Sequence, residues 1–98
     1  MAYHIQLKPS AEDDLNFFSR YTRNIIVKGI FAYLQADATV QTRKKKPLRP
    51  NPLGPWELKI GEYRVFYDVE ENNQIVNILA IGHKQHNDLF IRGRKVDL

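Results

Sequence analysis

Apolar and polar positions in the N-terminal third of the chain predict one strand followed by two helices. Residues 3–7 alternate in polarity, as a half-buried strand does. Pro9 ends this strand, and Ser10 stands where the N-cap of a helix is expected, with acids in the first turn. A break is expected over Tyr21 to Asn24, and Gly29 marks close packing of the second helix. The buried stripe of that helix is Ile26, Ile30, Tyr33 and Leu34.

Residues 37–55 differ in character from the segments on either side. A basic run, Arg43 to Lys46, is followed by four prolines and a glycine within ten residues. Proline removes a backbone donor and fixes φ, so this segment is expected to be a loop without a regular strand ladder. A loop of this length in a small domain is usually functional or disordered.

A β-hairpin is predicted from Trp56 to Tyr67, with a two-residue turn at Gly61-Glu62. This turn makes Ile60 oppose Tyr63 and Lys59 oppose Arg64. Alternation then divides the side chains between a core face and an opposite face that carries charge. The core face holds Trp56, Leu58, Ile60, Tyr63, Val65 and Tyr67, and the opposite face holds Glu57, Lys59, Arg64 and Phe66. The apolar segment from Ile75 to Ile81 predicts a further, central strand.

Two directly opposed cations, Lys59 and Arg64, destabilise a hairpin by a few tenths to about 1 kcal/mol. In one interpretation Glu57 neutralises them diagonally on a solvated face. In the other they form a phosphate site, where Arg64 supplies a fork of donors, Lys59 a point charge and Phe66 a surface on which a base stacks.

The composition fits one domain, residues 1–98, because 98 residues support a single modest core. No apolar run is long enough to span a membrane, and the absence of cysteine favours a reducing, cytoplasmic location. A net charge of +4 and a pI near 9.5 indicate a polyanionic partner such as nucleic acid, or simply solvated lysines.

The order of elements and the segments WELKIGEYRVFYDV and IVNILAIGHK resemble the RelE/ParE superfamily of bacterial toxins from type II toxin–antitoxin systems. The specific part is Gly-x-Tyr-Arg-x-x-Tyr, from Gly61 to Tyr67, and the similarity extends from Tyr3 to about Phe90. The resemblance implies an α+β fold of order β-α-α-β-β-β. It also implies a mainly antiparallel four-stranded sheet with two N-terminal helices packed on one face.

The resemblance further implies a cognate antitoxin as partner and, for RelE-like members, cleavage of mRNA on the ribosome without a metal or cofactor. The 2′-hydroxyl attacks the adjacent phosphate, and basic residues stabilise the developing charge. Arg64 matches the strand arginine of the family, Lys84 a second arginine, and Lys59 a basic position on the preceding strand. Two places that hold lysines in RelE hold Glu57 and Pro55 here.

Proton transfer is the part of this mechanism for which the chain departs from the family pattern. Phe90 stands where a catalytic tyrosine is common, and a phenyl ring can stack on a base but cannot donate a proton. His83 and His86 are the candidate proton-transfer groups, or else ordinary structural histidines. The expected RNA contacts are Arg43, Lys44, Lys45, Lys46, Phe66, Phe90 and Arg92; for the basic run, a solvated loop is the alternative.

Two other functions stay open at this point. ParE-like members share the fold but inhibit DNA gyrase, and the missing tyrosine is compatible with that activity. A catalytically decayed toxin that only binds its antitoxin is the third possibility. A metal site at His83 and His86 is disfavoured, because only Asp88 lies nearby as a further ligand.

Overall fold

The computed structural model describes residues 2–98, which form a mostly antiparallel seven-stranded sheet with two helices on one face. The elements are β1 (His4–Leu7), α1 (Pro9–Asn16), α2 (Arg20–Leu34), β2 (Lys45–Pro47), β3 (Trp56–Ile60), β4 (Tyr63–Glu70), β5 (Ile75–Gln85), β6 (Asp88–Ile91) and β7 (Arg94–Val96). Strands β2 to β7 are neighbours in sequence order, and β1 pairs in parallel with β5. The expected α+β fold is confirmed, with β2, β6 and β7 added to the four expected strands.

The central hairpin has the predicted register. Ile60 pairs with Tyr63 and Lys59 with Arg64, and Gly61 at the turn has a φ of +58° that favours glycine. The predicted core face packs with the helices in one cluster, which also contains Ile26, Ile30, Leu34, Ile78 and Ile81. Burial of this face therefore fixes the register, since a slip of one residue would expose all of it.

The helix boundaries differ from those that the sequence predicted. Pro9 occupies the first turn of α1 after Lys8, and the Ser10 hydroxyl donates to the carbonyl of Leu79 (3.1 Å) rather than capping the helix. Proline suits this position because its missing N–H has no partner there in any case. The break lies at 17–19, where Ser19 accepts the Thr22 N–H, so residues 21–24 are helical.

Gly29 confirms the expected close packing of α2. A Cβ atom at this position would lie 2.5 Å from Cδ1 of Ile60 on β3. The helix therefore contacts the sheet through its backbone at this point.

The proline-rich segment contains a strand that the sequence analysis did not predict. Lys45–Pro47 pairs antiparallel with Trp56–Leu58, and Pro47 ends this short edge strand, where its missing donor costs little. Asn51 organises the following loop, because its side-chain oxygen accepts the N–H groups of Leu53 (2.8 Å) and Gly54 (3.1 Å).

The C-terminal segment is a β-hairpin made of β6 and β7. The turn that precedes the hairpin, His86-Asn87, and the turn within it, Arg92-Gly93, place all four residues at positive φ. Side chains of this hairpin cover the sheet face opposite the helices and form a second core with the proline-rich loop. This core contains Phe66, Ala80, Leu89, Leu48, Leu53, Ile91 and Val96. Among the described residues, no helix is long and apolar enough to cross a membrane.

Candidate functional site

Three cations share the sheet face that points away from the helices, and we call Lys59, Arg64 and Lys84 the cationic cluster. Lys59 and Arg64 are direct cross-strand partners, and Arg64 is also paired with Gly82 on β5. Lys84, two residues beyond Gly82, is opposite Leu89, which packs in the second core on this same face. Arg64 and Lys84 are thus diagonal neighbours, at a spacing of about 7–8 Å between Cα atoms.

The positive charge of this cluster is not balanced by neighbouring acids. Arg64 Nη1 donates to two neutral carbonyls, those of Gly61 (2.8 Å) and Tyr63 (3.0 Å). Arg64 Nε is buried and has no acceptor within residues 2–98. In that same part of the chain, none of the three cluster side chains forms an ion pair with a carboxylate. Like charges held together without counter-ions attract an anion.

The basic run Arg43 to Lys46 does not act as one surface, because β2 sends alternate side chains to opposite faces. Lys45, paired with Leu58, is buried on the helix side. Its ammonium donates to the carbonyls of Tyr33 (3.0 Å) and Asp37 at the end of α2, and burial lowers its pKa. Lys45 therefore caps a helix and cannot be an RNA contact.

The other members of the run are also separated. Lys44 lies over the ring of Tyr33, 5.3 Å from its centroid, on the helix side. Lys46 lies on the same face as the cationic cluster, where its ammonium is 3.8 Å from the Glu57 carboxylate. Arg43 is exposed in the loop before β2. Lys46 is therefore the member of the run that lies on the face of the cluster, and its charge is already matched by Glu57.

Phe66 is on the predicted face but offers no surface to a base. Its side chain is fully buried in the second core, which it shares with Ala80, Leu89 and leucines of the proline-rich loop. The sequence could not show this, because the residues that cover Phe66 come from the loop and the C-terminal hairpin.

His83 and Phe90 lie on the opposite sheet face from Arg64. His83 is paired directly with Tyr63, whose side chain faces the helices, and with Phe90. The His83 ring stacks on Phe90 (centroids 5.5 Å apart, planes at 21°) and meets the edge of Phe18 at 6.1 Å. Strand alternation therefore separates both residues from the cationic cluster, and His83 cannot share a phosphate with Arg64.

The two remaining predicted residues lie in turns. His86 is exposed in the β5–β6 turn, two residues beyond Lys84. Arg92 is in the β6–β7 turn, where Nε lies 2.9 Å from Oδ1 of Asp14. Within residues 2–98, no group of three histidine, cysteine or acidic side chains could hold a metal ion.

Asp14 is a polar residue that the sequence analysis passed over. Its side chain is 3% exposed, and Oδ2 accepts the backbone N–H of Ile81 at 3.1 Å. Burial raises the pKa of Asp14, against the lowering effect of this hydrogen bond and of Arg92. A sequence signal existed, since Asp14 falls three residues after Ala11 and four before Phe18, on the apolar stripe of α1.

Comparison with known proteins agrees with this architecture. Residues 5–87 match the ParE toxin of type II toxin-antitoxin systems, parDE. This chain belongs to that toxin family. Such a toxin is one component of a toxin–antitoxin pair, so a cognate antitoxin is its expected partner. A search of curated protein sequences returns no match.

Solved structures of RelE toxins share the fold of this ParE-family chain. The toxin–antitoxin complex RelBE2 from Mycobacterium tuberculosis aligns with a TM-score of 0.74 at 25% identity, over 86% of this chain and 100% of that chain. The RelE–RelB complex from Pyrococcus horikoshii gives 0.68 at 15%, over 88% and 99%. The isolated Escherichia coli RelE toxin gives 0.65 at 18%, over 87% of each chain. The assignment to the RelE/ParE superfamily is therefore confirmed.

Proposed function

We propose that this toxin is an endoribonuclease that cleaves mRNA on the ribosome through its cationic cluster. The observation that carries the proposal is the convergence of Lys59, Arg64 and Lys84 on one sheet face without ion-pair partners among the described residues. A phosphodiester brings the negative charge that the cationic cluster lacks.

The reaction that fits such a face needs charge stabilisation above all. The 2′-hydroxyl of one nucleotide loses its proton and attacks the adjacent phosphorus. The bond from phosphorus to the 5′ oxygen breaks, leaving a 2′,3′-cyclic phosphate and a 5′-hydroxyl that gains a proton. Negative charge builds on the non-bridging oxygens, where the Arg64 fork and the Lys59 and Lys84 ammonium groups stabilise it.

Of the two histidines that the sequence favours for proton transfer, His83 lies on the helix face, so His86 and a carboxylate are the remaining candidates. Glu57 is a carboxylate on the same face as Arg64, on the neighbouring strand, and His86 is exposed beyond Lys84. The variants Glu57→Gln and His86→Gln test these two groups separately.

The decisive experiment adds the purified toxin to a cell-free translation reaction and maps mRNA ends by primer extension. Arg64→Ala should abolish new ends at ribosome-occupied codons. Arg20→Ala, the same change at an exposed site on α2, should leave them intact. Intact mRNA in the presence of folded wild-type protein would contradict the proposal.

Inhibition of DNA gyrase is the second candidate, and the packing of His83 away from Arg64 favours it, because the cationic cluster then lacks its expected acid–base partner. The family description, a ParE toxin, agrees with it. A gyrase supercoiling assay decides. Inhibition that survives Arg64→Ala, together with intact mRNA, would replace the ribonuclease proposal.

A further inference from the structure

Within residues 2–98, no strand covers residues 79–82 on the outer edge of β5. β1 pairs with residues 75–78 and β6 with residues 83–85. On this edge, the backbone between these two segments therefore finds hydrogen-bond partners in side chains of α1. Ser10 donates to the Leu79 carbonyl, and Asp14 accepts the Ile81 N–H. The Asp14 carboxylate thereby accepts a backbone hydrogen bond that a neighbouring strand would otherwise accept, close to the segment that leads to Lys84.

Asp14 also holds the C-terminal hairpin from its other oxygen. Arg92 Nε lies 2.9 Å from Oδ1, and the carboxylate is almost fully buried while Arg92 is half exposed. Arg92 occupies a left-handed position (φ 50°) before Gly93 (φ 77°), in a turn that favours asparagine or glycine over arginine. An arginine in this unfavourable conformation is explained by its contact with Asp14.

Aromatic contacts strengthen the same junction between α1 and the hairpin. The Phe17 ring is 3.7 Å from the position that a Cβ of Gly93 would take. Phe18 meets His83, which stacks on Phe90 of β6. The end of α1 and the hairpin therefore form one unit, and Lys84 is braced inside it by its pairing with Leu89.

We propose that Asp14 is a positioning residue, which ties the β6–β7 hairpin to α1 through Arg92 and so fixes Lys84 beside Arg64. This inference rests on the proposed function for its catalytic consequence, but the tie itself does not. Arg92, first expected to contact RNA, is in this interpretation a structural partner of Asp14. The two roles of Arg92 predict different kinetics.

The test compares Asp14→Asn, Arg92→Gln, the double variant and Arg92→Lys. Asparagine keeps an acceptor for the Ile81 N–H while removing the charge. Lys95→Gln is the matched control, because Lys95 pairs with Asp88 in the same hairpin at 3.7 Å with both side chains about half exposed. The readouts are amide hydrogen exchange over residues 83–96 and the separate kcat and KM for RNA cleavage.

Either single variant should speed exchange in the hairpin about tenfold, the change that corresponds to the loss of one partly buried ion pair. The double variant should be no worse than the singles, Arg92→Lys should restore most protection, and Lys95→Gln should change little. For cleavage, both singles should lower kcat by about ten- to a hundredfold with little change in KM, as misplacement does.

Additive effects of the two substitutions on exchange, or unchanged exchange in Asp14→Asn, would overturn the proposal. So would a raised KM in Arg92→Gln alone, which would mean that Arg92 contacts RNA. If the wild-type protein cleaves no RNA, the proposed function fails. The exchange data would then still decide whether Asp14 ties the hairpin.

Discussion

Individual cations on this toxin have different surroundings, and these surroundings determine what each can do. The Arg64 guanidinium donates to backbone carbonyls near the β3–β4 turn, whereas Lys46 forms an ion pair with Glu57. The buried Lys45 ammonium donates to backbone carbonyls at the end of α2. A count of basic residues therefore overstates the charge available to a ligand. The cations available to a phosphate are those that have no carboxylate partner and whose charged group is not buried against the end of a helix.

Arg64→Lys should reduce cleavage nearly as much as Arg64→Ala, because a lysine keeps the charge but cannot offer two donors to one phosphate. Loss of one such donor costs about 10²–10³ in kcat. Single-turnover cleavage of ribosome-bound mRNA measures this effect. The matched change Arg20→Lys on α2 should have none, and full activity in Arg64→Lys would show that charge alone suffices.

Lys45→Met should destabilise the fold by about 1–3 kcal/mol, because two carbonyls near the end of α2 lose their donor. Lys44→Met is the control, since the exposed Lys44 ammonium makes a cation–π contact with Tyr33, worth about 0.5–1 kcal/mol at such a site. Urea unfolding gives both values. Equal losses would mean that Lys45 contributes no more than its exposed neighbour.

Asp14 predicts an unusual pH dependence. Burial raises the pKa of the Asp14 carboxyl group above the ordinary value of 3.8, so this group binds a proton more tightly in the folded state than in the unfolded state. The stabilisation is present below pH 3.8 and is lost as pH rises through the folded-state pKa. As the pH falls from 7 to 4, the free energy of unfolding of the wild type should therefore increase relative to that of Asp14→Asn. Thermal unfolding of both proteins at several pH values measures the difference, and a constant difference would contradict it.

Among the elements, α2 and β3 are joined by the contact between Gly29 and Ile60. Gly29→Ala should destabilise the protein, because overpacking costs about 1–3 kcal/mol and the helical preference for alanine returns about 1 kcal/mol. In an Ile60→Ala background, the same change should instead be stabilising. A double-mutant cycle in urea tests this, and the same sign in both backgrounds would exclude the contact as the cause.

Local patterns predicted the elements whose partners are close in sequence. The turn residues and the alternation of apolar and polar side chains predicted the β3–β4 register, because a turn at Gly61 and a buried face on both strands are compatible with a single register. They missed β2, whose partner lies beyond the prolines, and the burial of Phe66 beneath the loop. They also placed His83 with Arg64, although residue 83 pairs with Tyr63 and so must share the helix face. Face assignment across three strands requires registers that a single sequence does not contain.

Across the whole molecule, charge is segregated along the sheet face that carries Arg64. Arg64 is near the start of β4, while Asp68 and Glu70 are near its end, on the same face and joined through the Asn77 amide (2.8 and 2.7 Å). A net charge of +4 therefore understates the positive potential at one end and hides a negative region at the other. RNA bound by this face should lie over the cationic end.

The salt dependence of RNA binding provides a test of this segregation. Each cation that neutralises a phosphate adds about 0.7 to the slope of log K against log salt for a single strand. Lys59→Gln should reduce the slope by about that amount. Lys46→Gln should reduce it less, because Glu57 already balances Lys46. Lys28→Gln, an equal charge change at an exposed position of α2, should leave the slope unchanged.

Fluorescence anisotropy with a short single-stranded RNA at several salt concentrations gives these slopes. Asp68→Asn should tighten binding only weakly, since that carboxylate lies at the far end of the strand from Arg64. If all three lysine variants lose the same slope, RNA samples the basic surface as a whole and the cationic cluster has no special role. A loss confined to Lys59→Gln would place the RNA backbone beside Arg64, where the cleavage chemistry requires it.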